Sequence, residues 1–315
     1  MEQNSYELHF APIQGYTDSF FRNAFDKYFG GVDVYYTPFI RVDKGSFMNR
    51  DLRGIEPDSN SVACLIPQIL PGSPEEFRIL ADMVVAKGYS RIDINLGCPF
   101  PMIAGKHKGA GMLPYPEQVT AVLETIKEYP EIRFSVKMRL GWDDVSECMS
   151  LVDILNSLRL EHITVHARTG RQQYKGQTHP DAFARFQKNC RHPLFYNGDL
   201  MTTQEIVGIL ERFPLLRGVS LGRGLLASPL LAKEFKENAT FSDEIRMSLY
   251  SAFHNELFYV YSERLQGEAH LLMKMKTLWE YFLPATDRKI LKKIKKANKI
   301  SQYKEALIGM FNLAI

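Results

Sequence analysis

Side chains that can donate protons or bind anions follow several short β-rich segments of this chain. The stretch INLGCPFPMIAGKHKGAGML, residues 94–113, combines an amide (Asn95), a thiol placed before a proline (Cys98), two lysines and several glycines. A loop that merely connects two elements rarely needs all of these groups, whereas reactive residues are concentrated in loops. We therefore interpret this stretch as part of a chemical site.

Comparable residues end the neighbouring segments. From the third β-rich segment to the eighth, the terminal residues are Gln68, Asn95 and Cys98, Lys137 and Arg139, His166 and Arg168, Asn197 and Asp199, and Gly222 and Arg223. One such residue alone is most often a satisfied structural group. Consecutive segments that all end this way instead predict one site at which their ends meet.

The last two segments predict a site for a phosphate group. YNGD (196–199) and SLGRG (220–224) place glycines where backbone N–H groups can face an oxyanion, and Arg223 adds a two-pronged cation. Lys137 follows apolar residues, so its amine is expected at the mouth of a barrel. There it would either stabilise negative charge on a ligand or form a Schiff base, and the residues alone leave both open.

The elements that carry these residues alternate between β-rich and helical segments. The β-rich segments are 8–13, 32–39, 62–69, 91–97, 133–139, 162–168, 193–199 and 217–223, and the helical ones include 74–87, 116–128, 145–158 and 203–212. This alternation favours a parallel sheet, and its length predicts an α/β fold, a (β/α)8 TIM barrel, over residues 1–240. The alternative is an open doubly wound sheet. That fold would place a GxGxxG motif after the first strand, where this chain has APIQGYTD.

Residues 241–315 contain no β-rich segment and predict a small helical domain that packs on the barrel. Ser242 or Asp243 is expected to cap its first helix. In 287–298 the apolar face is predicted to comprise Ile290, Leu291, Ile294 and Ala297, with lysines around it. This part has 12 Lys and Arg against 8 Asp and Glu, in a chain whose formal net charge is +3. The basic excess suits either a polyanionic partner or a solvated helix face.

Composition argues against several classes of protein. The chain does not open with a basic segment followed by an apolar one, and it has no apolar run of about 18 residues, so neither a secretory signal nor a membrane span is expected. The cysteines form no CxxC pair, which argues against a disulfide framework and a zinc site; they are Cys64, Cys98, Cys148 and Cys190. We expect a cytoplasmic protein in which an unusual cysteine serves chemistry.

The motifs together resemble those of the tRNA-dihydrouridine synthases, flavin enzymes that reduce uracil in tRNA. The matching stretches are APIQGYTD, PQI, INLGCP, KGAGM, VKMR, VHART, YNGD and LGRG, in the order of the family. The C-terminal part matches more loosely, and its length and basic tail resemble the C-type bacterial subgroup. Two small departures occur, since the family often has Gly where this chain has Tyr196 and Ala167.

The resemblance implies a cofactor site, an acid and a substrate site. FMN would lie against the backbone of Ala11, Pro12 and Ile13, with Gln68 and Lys137 at its polar edge and His166 nearby. Its phosphate would be held by Asn197, Gly198, Asp199, Gly222 and Arg223. The substrate would contact Asn95, Arg139 and Arg168 and, as tRNA, the lysines Lys292, Lys293 and Lys296.

The resemblance also implies the reaction. NADPH would reduce FMN, flavin N5 would pass hydride to uracil C6, and Cys98 would protonate C5. Lys106, His107 and Lys108 are expected to meet RNA phosphates, and one monomer is expected to act on one tRNA. Two other functions stay open. One is a flavin barrel for a free small molecule, such as a dihydroorotate-type dehydrogenase, and the other is an RNA-binding protein that retains a barrel without flavin.

Overall fold

Parallel strands form the centre of the molecule. A computed structural model describes residues 6–43, 45–308 and 310–311, so the ends of the two predicted domains, 1–5 and 312–315, lie outside the described residues. Each predicted β-rich segment contains a strand. The strands are β1 (Glu7–Phe10), β2 (Val34–Tyr36), β3 (Val42–Asp43), β4 (Ser46–Phe47), β5 (Leu65–Ile66), β6 (Gln68–Ile69), β7 (Arg91–Leu96), β8 (Arg133–Gly141), β9 (Leu160–Thr169), β10 (Leu194–Asn197) and β11 (Gly218–Leu221). The antiparallel β3–β4 hairpin goes beyond the sequence prediction.

The large sheet closes on itself, which confirms the predicted barrel. Its strand order is β5-β2-β1-β11-β10-β9-β8-β7-β6, and all neighbouring pairs are parallel. The two end strands, β5 and β6, are halves of one predicted segment, interrupted at Pro67, which has no backbone N–H to donate. The carbonyls of Cys64 and Ile66 accept hydrogen bonds from the β2 segment, and the Asp93 N–H donates to the Pro67 carbonyl at 2.9 Å. The open doubly wound alternative is therefore wrong.

Helices surround the barrel between the strands. They are α1 (Ser19–Tyr28), α2 (Asn49–Gly54), α3 (Pro74–Ala86), α4 (Pro101–Ala104), α5 (Pro116–Glu124), α6 (Val152–Ser157), α7 (Pro180–Asn189), α8 (Thr203–Arg212), α9 (Arg223–Ala227) and α10 (Leu231–Glu237). Start signals in the sequence act as expected. Ser73 Oγ accepts a hydrogen bond from the Glu76 N–H at α3, and Thr202 and Glu205 form a capping box at α8.

Two of the predicted helices are shorter than their sequence pattern. The segment predicted as 145–158 forms a 3-10 turn at Glu147–Leu151 before α6, and the segment predicted as 116–128 ends in a 3-10 turn at Thr125–Glu128. Apolar spacing alone does not separate these two helix types, because both bury one face.

Four helices follow the barrel, α11 (Asp243–Arg264), α12 (Glu268–Leu278), α13 (Arg288–Lys296) and α14 (Ile300–Leu307). Ser242 caps α11, since its hydroxyl accepts a hydrogen bond from the Ile245 N–H. These helices share one hydrophobic core with the barrel. Phe253 of α11 is fully buried and packs against Phe21 of α1 and against Phe29, which follows α1, with ring centroids 5.4 and 5.0 Å apart.

A polar cluster also joins α1 to the C-terminal helices. Asp18 caps α1, and its carboxylate accepts hydrogen bonds from the Tyr261 hydroxyl and pairs with Lys274 at 2.8 Å. The same lysine donates to the Gly15 carbonyl. The C-terminal helices are therefore fixed beside the loop that follows β1. In the described part of the chain, no helix has both the length and the apolar content needed to cross a bilayer.

Candidate active site

One cavity lies where the barrel strands end. It is lined by residues from strand ends all round the barrel. The predicted cofactor residues, the predicted acid and two predicted substrate residues all line it: Ala11, Pro12, Ile13, Gln68, Asn95, Cys98, Lys137, Arg139, His166, Asn197, Gly198, Asp199, Gly222 and Arg223. The structure thus brings together side chains that are up to about two hundred residues apart in sequence, as the convergence of parallel strand ends requires.

A buried carboxylate fixes the orientation of Gln68. The Gln68 amide donates from Nε2 to Asp93 at 2.7 Å and accepts from Asn95 Nδ2 at 2.7 Å, while Ser135 Oγ donates to the other Asp93 oxygen at 2.6 Å. Burial raises the pKa of Asp93 to about 6, although the Ser135 and Gln68 hydrogen bonds and the nearby Lys137 lower it. The sequence analysis missed Asp93 because it lies within a strand rather than at its end.

Asn95 organises the turn that carries the thiol. Its Oδ1 accepts hydrogen bonds from the backbone N–H groups of Gly97 and Cys98, at 3.0 and 2.8 Å. The Cys98 side chain is half-buried, and burial raises the pKa of its thiol above the ordinary value, although Arg139 and Lys137 act in the opposite direction. The thiol is therefore protonated at neutral pH and can act as an acid. Asn95 therefore both holds the turn in place and lines the cavity.

The glycine-rich loop after Cys98 is held by contacts beneath it. Lys108 Nζ lies 2.6 Å from both carboxylate oxygens of Glu76, and its stem runs so close to Gly72 that a Cβ there would lie 2.4 Å from Lys108 Cε. Lys108 is thus paired with Glu76 in this structure, and its expected contact with RNA phosphates stays a prediction. Lys106 and His107 are exposed.

Lys137 and His166 supply polar groups in the middle of the cavity wall. Lys137 Nζ donates to Asn197 Oδ1 at 3.2 Å, and burial lowers the pKa of its amine to about 8, with Arg139 adding to the effect. Burial also lowers the pKa of His166 well below its ordinary value, and the cations Arg139 and Lys137 act in the same direction. His166 is therefore a neutral imidazole at pH 7. With a pKa of about 8, most Lys137 amines are charged at pH 7 and a minor fraction is neutral, so both of the chemistries that the sequence left open remain open.

Arg139 packs against Tyr174, an aromatic residue that the sequence did not single out. Its Nε donates to the Gly97 carbonyl at 2.9 Å and one terminal nitrogen donates to the Thr169 carbonyl at 2.8 Å. The Tyr174 ring lies 5.6 Å from the Arg139 guanidinium and 4.6 Å from that of Arg223. Tyr174 lines the cavity although it comes from the irregular loop after β9, where strand-end reasoning gives no signal.

Glycines and paired charges form the opposite end of the cavity. Gly198 has φ 141°, and a Cβ there would lie 2.8 Å from Thr178 Cγ2; a Cβ on Gly222 would lie 3.4 Å from Ile13 Cδ1. Asp199 follows with φ 47°, and its Oδ1 accepts a hydrogen bond from Arg223 at 2.7 Å. Burial raises the pKa of this carboxylate, but hydrogen bonding and charge from arginine outweigh burial and hold it below its ordinary value.

The remaining predicted substrate residues lie apart from the cavity wall. Arg168 is 1% exposed, does not line the cavity and pairs with Asp199 instead. Lys292, Lys293 and Lys296 are exposed on α13 and line a separate groove between α13 and α14. We call this the α13 groove. The apolar residues predicted for this helix, Ile290, Leu291, Ile294 and Ala297, all pack against the hydrophobic core.

Comparisons with known proteins agree with this arrangement. The chain is 30% identical over 237 residues to the tRNA-dihydrouridine(16) synthase of Haemophilus ducreyi, covering 72% of each protein. It is 27% identical over 256 residues to the probable tRNA-dihydrouridine synthase 2 of Bacillus subtilis, covering 78% of this chain and 77% of that one. The resemblance to the C-type subgroup stays a prediction.

Solved structures share the fold. Morphinone reductase superposes with a TM-score of 0.54 at 11% identity, over 78% of this chain and 91% of its own. The old yellow enzyme homologue from Zymomonas mobilis gives a TM-score of 0.54 at 10% identity, over 77% and 92%. The family model described as dihydrouridine synthase (Dus) matches residues 9–311, which include the barrel, the cavity and the C-terminal helices. The chain therefore belongs to the dihydrouridine synthase family.

Proposed function

We propose that this chain reduces the C5–C6 double bond of uridine in tRNA to 5,6-dihydrouridine, with bound FMN as cofactor and NADPH as reductant. The observation that carries the proposal is that the residues assigned to flavin binding line one cavity together with Cys98. Membership of the dihydrouridine synthase family and the names of the relatives support the same activity. The proposed enzyme is cytoplasmic and monomeric.

The chemical groups along the cavity fit FMN. Ala11, Pro12 and Ile13 offer an apolar wall, Gln68 and Lys137 offer hydrogen-bond donors, and Arg223 offers a cation beside Gly222. Glycine is required at position 198, where φ is 141° and a Cβ would lie 2.8 Å from Thr178 Cγ2. A planar ring system with a polar edge and a phosphate arm needs an apolar surface, hydrogen-bond donors and a cation, and this cavity contains all three. When bound, FMN would accept a hydride from NADPH and deliver it from N5 to uracil C6.

Lys137 and Gln68 would serve the polar edge of the flavin. Lys137 is held by Asn197 and keeps a positive charge in most molecules at pH 7, because its lowered pKa of about 8 still lies above that pH. A cation at this place stabilises negative charge on the reduced ring. Gln68 has one amide hydrogen free of its contacts with Asp93 and Asn95, so it can donate to the ring as well.

Cys98 would complete the reduction by protonating uracil C5. Hydride addition at C6 leaves an electron pair at C5, and the Cys98 thiol supplies the proton and becomes a thiolate that solvent reprotonates. Its raised pKa keeps the thiol protonated before the reaction. Asn95 fixes the turn through the backbone N–H of Cys98, which positions the acid without contacting the proton.

The substrate would be a folded RNA that presents an unpaired uridine. A base must leave its stack to reach a cavity inside a barrel, and that costs least in a loop. The exposed Lys292, Lys293 and Lys296 of the α13 groove would bind phosphates of the tRNA body. A protein that acts on a free pyrimidine has no need of this second, cationic surface.

Two measurements test the proposal. The visible spectrum of the purified protein should show bound flavin, and its absence would favour the RNA-binding alternative. Dihydrouridine should form in tRNA lacking it when NADPH is added, and free uridine should react far more slowly. Equal turnover of free uridine would favour the small-molecule alternative.

Replacement of the acid gives a sharper test. Cys98→Ala should retain flavin and its reduction by NADPH but lose at least about a hundredfold in turnover of tRNA, the usual contribution of a positioned acid. Cys190→Ala is the matched control, because Cys190 is also half-buried but does not line the cavity, and it should stay fully active. Full turnover by Cys98→Ala would disprove the role of the thiol.

A further inference from the structure

Arg168 is one of the largest fully buried side chains in the described structure, yet it carries a charge. It lies near the end of β9 and is 1% exposed. Buried guanidinium groups are retained in proteins when they are paired, and the geometry of the pair shows what they hold in place. Neither its burial nor its partners suit a direct contact with the base of a substrate.

The guanidinium of Arg168 forms a bidentate contact with the Asp199 carboxylate through both terminal nitrogens. One nitrogen donates to Oδ1 at 2.9 Å and the other donates to Oδ2. Asp199 stands in the left-handed region at φ 47°, directly after Gly198 at φ 141°. A non-glycine residue in that region is unfavourable unless its surroundings hold it there. The two-pronged contact supplies such a restraint on the turn that borders the cavity.

The same carboxylate is shared with Arg223. Asp199 Oδ1 accepts a hydrogen bond from Arg223 at 2.7 Å, so the carboxylate bridges a buried cation and a cation of the cavity wall. Arg168, Asp199 and Arg223 together carry one net positive charge beside the proposed phosphate site. Without Arg168, Asp199 would neutralise Arg223 and set a carboxylate beside a phosphate monoester that carries about −1.5 to −2 at pH 7.

Arg168 also fixes the loop on the other side of Arg223. The nitrogen that contacts Asp199 Oδ2 donates to the Gly176 carbonyl at 2.6 Å. That loop carries Tyr174, whose ring lies against Arg223. One buried side chain therefore sets the position of Arg223 from two directions, through the carboxylate that it bonds and through the aromatic ring that it faces.

We propose that Arg168 is a positioning residue for the phosphate end of the cofactor site: by neutralising and orienting Asp199, it leaves the charge of Arg223 free for the phosphate of the flavin. This inference rests on the proposed function, because it assumes that FMN binds in the cavity. It replaces the assignment of Arg168 to the substrate.

Riboflavin, which lacks the phosphate of FMN, separates this role from a general structural one. The dissociation constants of FMN and riboflavin are to be measured by flavin fluorescence on full-length protein freed of flavin. Arg168→Gln should weaken FMN at least about tenfold, the effect of one lost charge-assisted contact, and riboflavin less than about threefold. Arg223→Gln, which removes the proposed phosphate contact itself, should change the ratio in the same direction.

Two further variants keep the test decisive. The double variant Arg168→Gln with Asp199→Asn removes the carboxylate that Arg168→Gln leaves unpaired. It should recover part of the affinity for FMN. It also keeps the test available if Arg168→Gln alone fails to fold. Arg22→Gln is the matched control, because Arg22 is equally buried but bonds to the Thr17 and Gly54 carbonyls outside the cavity, and it should leave the FMN-to-riboflavin ratio unchanged.

Equal weakening of both flavins by Arg168→Gln, or no weakening, would overturn the inference. So would a double variant that binds FMN less well than Arg168→Gln alone. If the unmodified protein bound neither flavin, the proposed function itself would fail, and that outcome is distinct from an unchanged ratio in a protein that binds FMN.

Discussion

Replacement of the buried Asp93 carboxylate by an amide should remove one component of the pH dependence of folding. Asp93 is 1% exposed, and burial raises its pKa from 3.8 to about 6. The folded state then binds the proton more tightly than the unfolded state, so the stability from this group is fully present below about pH 4 and falls as pH rises towards 6. One pKa unit corresponds to about 1.36 kcal/mol, so the ionised carboxylate costs the folded protein about 3 kcal/mol above pH 6.

Asp93→Asn keeps the shape and most of the contacts. The new Oδ1 can accept from Gln68 and the new amide can donate to Ser135 Oγ, so the change in hydrogen bonding is a constant offset that does not vary with pH. The assay is urea unfolding of both proteins at several pH values. The difference in free energy of unfolding, variant minus parent, cancels the titrating groups that do not interact with Asp93 and should rise by about 1 kcal/mol between about pH 5 and pH 7.

The direction in which this difference changes with pH tests the reasoning. A value that is flat or falls over that range would refute the reasoning, because it would mean that Asp93 does not hold its proton more tightly in the folded state. Ser135→Ala gives an independent check. It removes a hydrogen bond that lowers the pKa of Asp93, so the range over which stability falls should extend to higher pH.

Three further changes test the fold and the tRNA surface. Gly218→Ala places a Cβ 1.9 Å from the Glu7 carbonyl oxygen in the β1–β11 pair, so it should lower the free energy of unfolding by about 3 kcal/mol in urea titrations. The control Gly208→Ala, with open space on α8, should be neutral or stabilising. Phe253→Ala should cost about 3–5 kcal/mol, because the ring is fully buried between barrel and C-terminal helices. Alanine at Lys292, Lys293 and Lys296 should weaken the salt dependence of tRNA binding: the negative slope of log affinity against log salt should become shallower by up to about 3.

The barrel and the membership of its cavity were predictable because both follow from local patterns. Alternating segments predict a parallel sheet, and the strand ends of a closed parallel sheet must meet at one face. That rule alone brings Gln68, Lys137 and Asn197 together without any knowledge of the loops. The split of the third strand at Pro67 was not predicted. The residues before Pro67 pair with β2 and those after it pair with β7, and this pairing is a property of the assembled sheet.

The residues that the sequence missed share a physical property. Asp93 lies within β7 and Tyr174 lies in the loop after β9, so neither stands at the strand ends that the pattern selects. Asp93 acts through Gln68, and Tyr174 reaches the cavity because Arg139 and Arg223 attract its ring. Contacts of this kind depend on which side chains meet across the barrel, and a one-dimensional pattern does not contain that.

Arg168 shows where strand-end reasoning stops. Alternation along β9 puts its Cβ on the same side as that of His166, which is why the sequence grouped both with the site. A guanidinium sits several bonds from its Cβ, however, and its final position depends on the partner that it finds. That partner is Asp199, 31 residues later and held in a left-handed turn. Strand registry therefore determines which residues converge, whereas the loop carboxylates determine which of the converging cations remain free to bind a ligand.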